Sequence, residues 1–177
     1  MNIFLIGYMG TGKSAAGRET ARLTGCKWYD LDKLIEDRTG MSVPTYMHAY
    51  GEEAFRDRES ETLSVFLKDL SVQDEPVLLS CGGGVVLREE NRKILKQNGM
   101  VIRLSASPET VFQRVTADGP VRPLLQGAQS EEELLQHIRN MQREREQYYA
   151  LTADVTIETD GRNASETAEL IRRAAGI

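Results

Sequence analysis

The sequence predicts an α/β fold of three layers, with a five-stranded parallel sheet between helices on both faces. Two observations carry this prediction: five short apolar runs occur along the chain, and segments with helical spacing separate each run from the next. Alternation of this kind is typical of parallel sheets covered on both faces. No repeat, low-complexity tract or linker interrupts the 177 residues, so we expect one domain over residues 1–177.

Each predicted strand is a short run that contains β-branched, aromatic or other apolar residues. The first run ends at Gly7, where a glycine-rich loop leads into the first predicted helix, over residues 13–24. The predicted strands cover residues 2–6, 27–30, 77–80, 100–104 and 154–158.

The other helices are predicted from capping residues and apolar spacing. Ser107 followed by Pro108 indicates a helix start, because serine caps a helix and proline suits its first position. Ser130 and Glu133 resemble a capping box, and leucine, isoleucine and methionine recur after them at three- and four-residue steps. Two further helices are predicted over residues 33–38 and 163–175.

One segment has no regular pattern. Residues 116–129 are rich in glycine, proline and glutamine. This composition predicts a mobile surface loop.

Composition and charge set further expectations. The net charge of -5 gives no electrostatic reason to expect a nucleic-acid partner. No apolar stretch approaches the ~18–20 residues that span a bilayer. Cys26 and Cys81 are far apart in unlike surroundings, which argues against a disulfide framework and fits a reducing compartment. We therefore expect a cytoplasmic protein without nucleic-acid or membrane partners.

The segment GYMGTGKS, residues 7–14, matches the phosphate-loop pattern G-x-x-x-x-G-K-[ST] at every fixed position. It follows a predicted strand and opens a predicted helix, which is the context that the motif requires. Glycines let backbone N–H groups converge on phosphates, Lys13 would reach the β- and γ-phosphates, and the Ser14 hydroxyl would bind Mg²⁺. The residues predicted to bind the nucleotide here are Gly10, Thr11, Gly12, Lys13, Ser14 and Ala15.

A nucleotide site alone leaves a kinase, a hydrolase and a switch open. The chain lacks the Asn-Lys-x-Asp sequence with which a signalling GTPase would read guanine, and this disfavours a switch.

Asp30 and Asp32 lie at the end of the second predicted strand. In an extended chain two carboxylates two residues apart point to the same side, so both would face the crevice at the carboxyl edge of the sheet. One carboxylate can then serve the metal and the other a substrate hydroxyl. The alternative is that one of them caps the helix over residues 33–38.

Five segments, in their order and rough spacing, resemble the shikimate kinase family, and the resemblance covers nearly the whole chain. They are the loop over residues 7–14, the Asp30-x-Asp32 pair, the G-E-E-A-F-R-D-R-E segment over residues 51–59, the triple glycine over residues 82–84, and the R-P-L-L sequence over residues 122–125.

The resemblance implies a fold and a reaction. The fold is that of a P-loop NTPase of the nucleoside-monophosphate-kinase type, with an acceptor-binding segment at about residues 31–60 and a mobile lid at about residues 114–130. The implied protein is a monomer that uses Mg²⁺ and transfers the γ-phosphoryl group of ATP to the 3-hydroxyl of shikimate. That reaction belongs to the pathway to chorismate and the aromatic amino acids.

The resemblance also implies roles for individual residues. The position of Asp30 supports Mg²⁺, and that of Asp32 binds the reacting hydroxyl and is the candidate base. Arg122, in the lid, would bind ATP and neutralise charge on its bridging and γ oxygens, so Lys13, Asp32 and Arg122 are the expected catalytic residues. Arg162 would stack on the adenine. The residues implied to bind shikimate are Asp32, Arg56, Gly82, Gly83, Gly84 and Arg145.

The chemistry of shikimate agrees with these residue types. Arg56 and Arg145 suit its carboxylate, because a planar guanidinium forms paired hydrogen bonds with a carboxylate. Glu59 lies three residues after Arg56, on the same face of a helix, and could hold the guanidinium in place. A plain surface ion pair is the alternative for this spacing.

Two positions depart from the family pattern. Met47 stands where the family usually has an aromatic residue, and Gln147 stands where the segment after Arg145 usually has a proline. These departures leave open a kinase of the same fold for another polyol, such as gluconate. A nucleotide-binding regulatory module without catalysis is a third hypothesis, which the intact loop and acidic pair oppose.

Overall fold

The computed structural model describes residues 1–70, 76–117 and 130–177. Five strands form one parallel sheet, which confirms the predicted fold class. No predicted strand differs from the observed one by more than one residue at either end. The strands are β1 Asn2–Ile6, β2 Lys27–Asp30, β3 Val77–Ser80, β4 Gly99–Ser105 and β5 Val155–Glu158, in the spatial order β2-β3-β1-β4-β5.

Helices connect the strands and cover both faces of the sheet. They are α1 Lys13–Thr24, α2 Leu31–Thr39, α3 Val43–Leu70, α4 Glu89–Asn98, α5 Pro108–Ala117, α6 Glu131–Thr152 and α7 Ala164–Ala175, with a short 3-10 helix at Val85–Leu87. Two helical segments meet at Gly51 within α3, where φ is 85°, a conformation that glycine adopts without strain.

Among the described residues, no helix is long and apolar enough to cross a membrane.

The predicted surface loop and lid are only partly described. Residues 114–117 belong to α5, so the prediction that residues 116 and 117 lie in a loop is wrong. Ser130 caps α6. Residues 118–129, and with them Arg122, lie outside the described residues.

Capping residues define the starts of the last two long helices. The Ser130 hydroxyl accepts a hydrogen bond from the Glu133 N–H at 3.2 Å, as expected for an N-cap. Asn163 and Glu166 form a full capping box, with both hydrogen bonds at 2.9 Å. These local contacts agree with the predicted starts, which came from sequence alone.

Residues of β1 alternate between two cores, one on each face of the sheet. Phe4 and Ile6 pack with residues of α2, α3, α4 and α6, whereas Ile3 and Leu5 pack with residues of α1 and α7. Phe4, Leu5 and Ile6 are fully buried. Burial of each such side chain contributes about 1.5–3 kcal/mol, so β1 is anchored from both sides.

The position of β1 also determines where a ligand can bind. β1 pairs in parallel with β3 on one side and β4 on the other, so the loops that follow these strands leave the sheet at the same edge. The Cys81 N–H donates to the Leu5 carbonyl at 2.9 Å and continues the ladder just beyond β3. Ligands of open parallel sheets bind at this carboxyl edge.

We predict that Leu5→Ala lowers the free energy of unfolding by about 2–5 kcal/mol, because it removes buried methyl groups and leaves a cavity at the centre of the sheet. Leu151→Ala is the matched control, since Leu151 is 63% exposed on α6; it should change stability by about 0.5 kcal/mol or less. Urea denaturation of both variants measures the difference. Equal midpoints would contradict the central role of β1.

Candidate functional site

Two adjoining pockets lie at the carboxyl edge of the sheet. The first, which we call the loop pocket, has a volume of about 530 Å³ and is lined by residues 9–16 together with Arg18, Asp30, Arg114, Thr159 and Arg162. The second, the arginine pocket, has a volume of about 270 Å³ and is lined by Arg56, Arg145, Glu59, Glu36, Met47 and Phe55, among others. The residues that line both pockets are Met9, Asp32, Gly82 and Gly83.

The phosphate-loop motif forms the floor of the loop pocket. Gly10 and Gly12 have φ values of 74° and 90°, and such left-handed turns let the backbone curl tightly before α1 begins. The Lys13 ammonium donates to the Tyr8 carbonyl at 2.8 Å and is almost fully buried. No acidic residue lies in the first turn of α1. The positive end of the helix and the lysine therefore suit an anion such as phosphate.

A chain of hydrogen bonds ties this loop to the sheet. The Trp28 indole donates to the Ser80 hydroxyl at 2.9 Å, and that hydroxyl donates to the Lys13 carbonyl at 3.2 Å. Gly17 provides the space: a Cβ there would lie 2.5 Å from the indole nitrogen and 2.7 Å from the Ser80 oxygen. Strands β2 and β3 thereby fix the first turn of α1.

Asp30 serves two purposes at the end of β2. One carboxylate oxygen accepts from the Asp32 N–H at 3.0 Å, so Asp30 caps α2 as the capping alternative proposed. The other accepts from the Ser14 hydroxyl at 2.6 Å, inside the loop pocket. A hydroxyl and a carboxylate side by side are oxygen donors of the kind that Mg²⁺ prefers.

The predicted extended geometry of the acidic pair is wrong. Asp32 lies in the first turn of α2, because the helix begins at Leu31 directly after the strand. Its carboxylate nevertheless faces both pockets, and a Cβ on Gly82 would lie 3.0 Å from it. The strand places Asp30 at the loop pocket, and the helix turn places Asp32 at the border between the pockets.

Among residues 1–70, 76–117 and 130–177, no group of three or more histidine, cysteine, aspartate or glutamate side chains is arranged to hold a metal ion. Mg²⁺ commonly takes only one or two protein carboxylates and completes its shell with water and substrate phosphates. The Ser14 and Asp30 pair fits a metal held in that way.

A buried ion pair forms one wall of the arginine pocket. Arg56 donates to Glu59 at 2.9 Å and to Glu52 at 3.1 Å. The side chains of Arg56 and Glu59 are 7% and 0% exposed, so the alternative of a surface ion pair is wrong. Burial raises the pKa of Glu59, although the Arg56 guanidinium opposes the shift. Burial also acts to lower the pKa of Arg56, but the two carboxylates outweigh it and the net shift is upward.

The triple glycine leaves room for these charged groups. A Cβ on Gly84 would overlap the Arg56 guanidinium, and one on Gly82 would lie 2.7 Å from Glu59 Oε1. That oxygen is buried and has no hydrogen-bond partner among the described residues. Gly82 and Gly84 therefore have to be glycine, because the Glu59 and Arg56 side chains occupy the space that a Cβ would need.

The second predicted arginine reaches the same pocket from α6. Arg145 is buried, its guanidinium donates to the Gly83 carbonyl at 3.4 Å, and it lies 5.7 Å from the centre of the Tyr8 ring. Arg56 and Arg145 thus bring two guanidinium groups to one small cavity, an arrangement that can bind a carboxylate.

Met47 also lines the arginine pocket and packs against the adjacent core. It therefore forms part of the pocket wall on the acceptor-binding segment.

Arg114 is a site residue that the sequence analysis missed. It donates to the Gly10 carbonyl at 3.1 Å, to the Thr159 hydroxyl at 3.0 Å and to the Thr159 carbonyl at 2.7 Å. It therefore joins the phosphate loop to the segment after β5, where Arg162 lies at the pocket wall with its Nε donating to the Glu158 carbonyl at 3.0 Å. In the sequence Arg114 looks like any arginine near the end of an amphipathic helix.

The chain matches the family model for shikimate kinase over residues 9–175. It is 40% identical to the shikimate kinase of Nitrosococcus oceani over 158 residues, which are 89% of this chain and 78% of that protein. It is 42% identical to the shikimate kinase of Chromobacterium violaceum over 164 residues, 93% of this chain and 84% of that protein.

Solved structures give the same result. A structure of shikimate kinase from Acinetobacter baumannii in complex with shikimate is 35% identical, with a TM-score of 0.87 over 98% of this chain and 91% of that one. A shikimate kinase structure from Bacteroides thetaiotaomicron is 27% identical, with a TM-score of 0.89 over 100% of this chain and 99% of that one.

We predict that Arg114→Met raises the dissociation constant for MgATP about tenfold, because it removes charged hydrogen bonds that hold Gly10 against the segment after β5. Isothermal titration calorimetry measures the change. Arg139→Met is the control, since Arg139 is exposed on α6 and pairs with Glu109. The same MgATP affinity in both variants would rule out a role for Arg114 in shaping the loop pocket.

Proposed function

This chain belongs to the shikimate kinase family, and we propose that ATP binds in its loop pocket and shikimate in its arginine pocket. Its reaction is the ATP-dependent phosphorylation of an alcohol, in which the γ-phosphoryl group passes to the 3-hydroxyl of shikimate and gives shikimate 3-phosphate and ADP. The reaction serves aromatic amino-acid biosynthesis.

The main support for placing ATP in one pocket and shikimate in the other is the position of Asp32, which lines both pockets. Phosphoryl transfer depends on holding the attacking hydroxyl in line with the γ-phosphate. A carboxylate at the border between the pockets can accept a hydrogen bond from that hydroxyl and take its proton. We therefore assign Asp32 as the general base and as a ligand of the reacting hydroxyl.

The phosphate loop is proposed to bind ATP through the backbone of Gly10, Thr11, Gly12 and Ala15, with Lys13 on the β- and γ-phosphates. Lys13 now contacts the Tyr8 carbonyl and would exchange that bond for a phosphate oxygen. Arg162, at the pocket wall, is proposed to stack on the adenine.

Ser14 and Asp30 are proposed to hold Mg²⁺, because their oxygens already lie 2.6 Å apart in the loop pocket. When bound, the ion neutralises charge on the phosphate oxygens as the γ-phosphoryl group leaves. Arg122, which lies outside the described residues, is proposed to add a second positive charge and to complete the catalytic set with Lys13 and Asp32.

The arginine pocket is proposed to hold the acceptor by its carboxylate. Arg56 and Arg145 approach from two different helices, and Glu59 fixes the first of them by a buried ion pair. The side-chain-free backbone of Gly82, Gly83 and Gly84 is proposed to contact the acceptor directly, since close approach needs the absence of a Cβ.

We further propose a cytoplasmic monomer without nucleic-acid or membrane partners. Both cysteines are free, which supports a reducing compartment. Both pockets are formed by residues of one chain, so the proposed reaction needs no second copy.

The test of this function is ADP formation from MgATP at one enzyme concentration, with no acceptor, with shikimate and with gluconate. We expect strong stimulation by shikimate alone. Equal stimulation by gluconate would favour a broader polyol kinase, and MgATP binding without any stimulation would favour a nucleotide-binding module.

We predict that Asp32→Asn lowers kcat for shikimate at least about 100-fold, because the amide cannot accept the hydroxyl proton. The dissociation constant for MgATP should change less than about twofold, since the phosphates are proposed to bind on the loop and the start of α1. Asp37→Asn provides the control: Asp37 lies on the same helix, is exposed and pairs with Lys33. Full activity in the Asp32 variant would remove it from the mechanism.

A further inference from the structure

Tyr149 makes a hydrogen bond to the acceptor-side loop from outside both pockets. Its side chain is 2% exposed, and its hydroxyl donates to the Gly83 carbonyl at 2.6 Å. Gly83 lines both pockets, whereas Tyr149 lines neither. A residue of α6 that lines neither pocket thus contacts the backbone at the border between the two pockets.

This one hydrogen bond constrains more than the carbonyl that accepts it. A peptide unit is planar and trans, so fixing the Gly83 carbonyl also fixes the opposite direction of the Gly84 N–H. Gly84 is the residue against which the Arg56 guanidinium packs. Arg145 donates to the same Gly83 carbonyl at 3.4 Å. The Gly83–Gly84 peptide is therefore a common point of contact for both arginines of the pocket.

The Tyr149 ring also contacts Arg103, which forms an ion pair with Glu146. The Arg103 guanidinium lies 5.2 Å from the ring centre, within the range of a cation–π contact. Arg103 also forms two hydrogen bonds of 2.6 Å with Glu146, and so joins β4 to α6. This paired geometry is the strong form of an ion pair, and it limits movement of the helix that carries both Tyr149 and Arg145.

The hydroxyl donates to the Gly83 carbonyl and accepts from the Arg145 guanidinium, so it contacts the pocket arginine directly as well. Burial raises the pKa of Tyr149 well above its usual value, although the nearby Arg145 and Arg103 oppose the shift. The phenol therefore stays protonated over the range in which enzymes are assayed.

We propose that Tyr149 is a positioning residue for the acceptor, which orients the Gly83–Gly84 peptide and, with it, the two guanidinium groups of the arginine pocket. The proposal rests on the proposed function, because it assumes that shikimate binds in that pocket. Arg103 and Glu146 support the role by fixing the ring and the helix. Tyr149 does not line the loop pocket, and its hydroxyl bonds to the glycine segment and not to the phosphate loop, so the larger effect should fall on the acceptor and the smaller one on ATP.

The test compares Tyr149→Phe with Tyr148→Phe. The control changes the next residue of α6, a half-buried tyrosine whose ring contacts Arg92 and lines neither pocket. For Tyr149→Phe we expect the KM for shikimate to rise about tenfold, equivalent to about 1.4 kcal/mol, because the half-buried Gly83 carbonyl loses its short hydrogen bond. The KM for ATP should change less than about twofold. The control should match the wild type in both constants.

A second readout does not depend on turnover. Hydrogen–deuterium exchange of residues 81–88, followed by mass spectrometry, should be faster in Tyr149→Phe than in Tyr148→Phe, because the glycine segment loses a fixed contact. An unchanged KM for shikimate would overturn the positioning role, and unchanged exchange would show that Tyr149 does not hold the glycine segment. Equal rises in both KM values would also overturn the positioning role, since they would indicate a general loss of structure.

The two measurements separate this inference from the proposed function. If the wild type does not phosphorylate shikimate, the proposed function fails, and the exchange rates alone decide whether Tyr149 holds the glycine segment. If the wild type does so and Tyr149→Phe keeps its KM for shikimate, the positioning role alone fails.

Discussion

The parallel pairing of β1 with β3 is the constraint on which the site depends. It brings the turn after each strand to the same edge of the sheet, where the Cys81 N–H continues the ladder by donating to the Leu5 carbonyl. A Cβ on Gly83 would lie 3.3 Å from the Met9 nitrogen, so the phosphate loop and the triple glycine are packed backbone to backbone. The two proposed substrates meet at this contact, which no single loop could form.

The buried ion pair of Arg56 and Glu59 belongs to the candidate site, and burying its two charges lowers the stability that it can contribute to the fold. Removing two charges from water is expensive, and a buried ion pair often stabilises a protein no better than apolar side chains would. Here only one of the two Glu59 oxygens has a hydrogen-bond partner within the described residues. We interpret the pair as a means of holding a guanidinium rigidly in a small cavity. Rigid placement of a charged group is what recognition of a small anion requires.

Local sequence patterns predicted the strands, the helix caps and the phosphate loop. They did not predict contacts between residues that are far apart in the sequence. The strands and caps depend on neighbouring residues, and the phosphate loop is a continuous motif, so all were predictable. The extended geometry of Asp32 was wrong because α2 begins without any connecting residue after β2. Arg114 and Tyr149 were missed because their partners lie 104 and 66 residues away. Those contacts exist only once the sheet has formed.

The hydrogen-bonded path from Trp28 through Ser80 to the Lys13 carbonyl has a practical consequence. Trp28 is the only tryptophan of the chain, so its fluorescence comes from one place in the molecule, beside the first turn of α1. The emission of an indole depends on its polarity and hydrogen bonding. The protein therefore carries one native fluorophore next to the loop proposed to bind the nucleotide, and its emission offers a way to test occupancy of that loop in the unmodified chain.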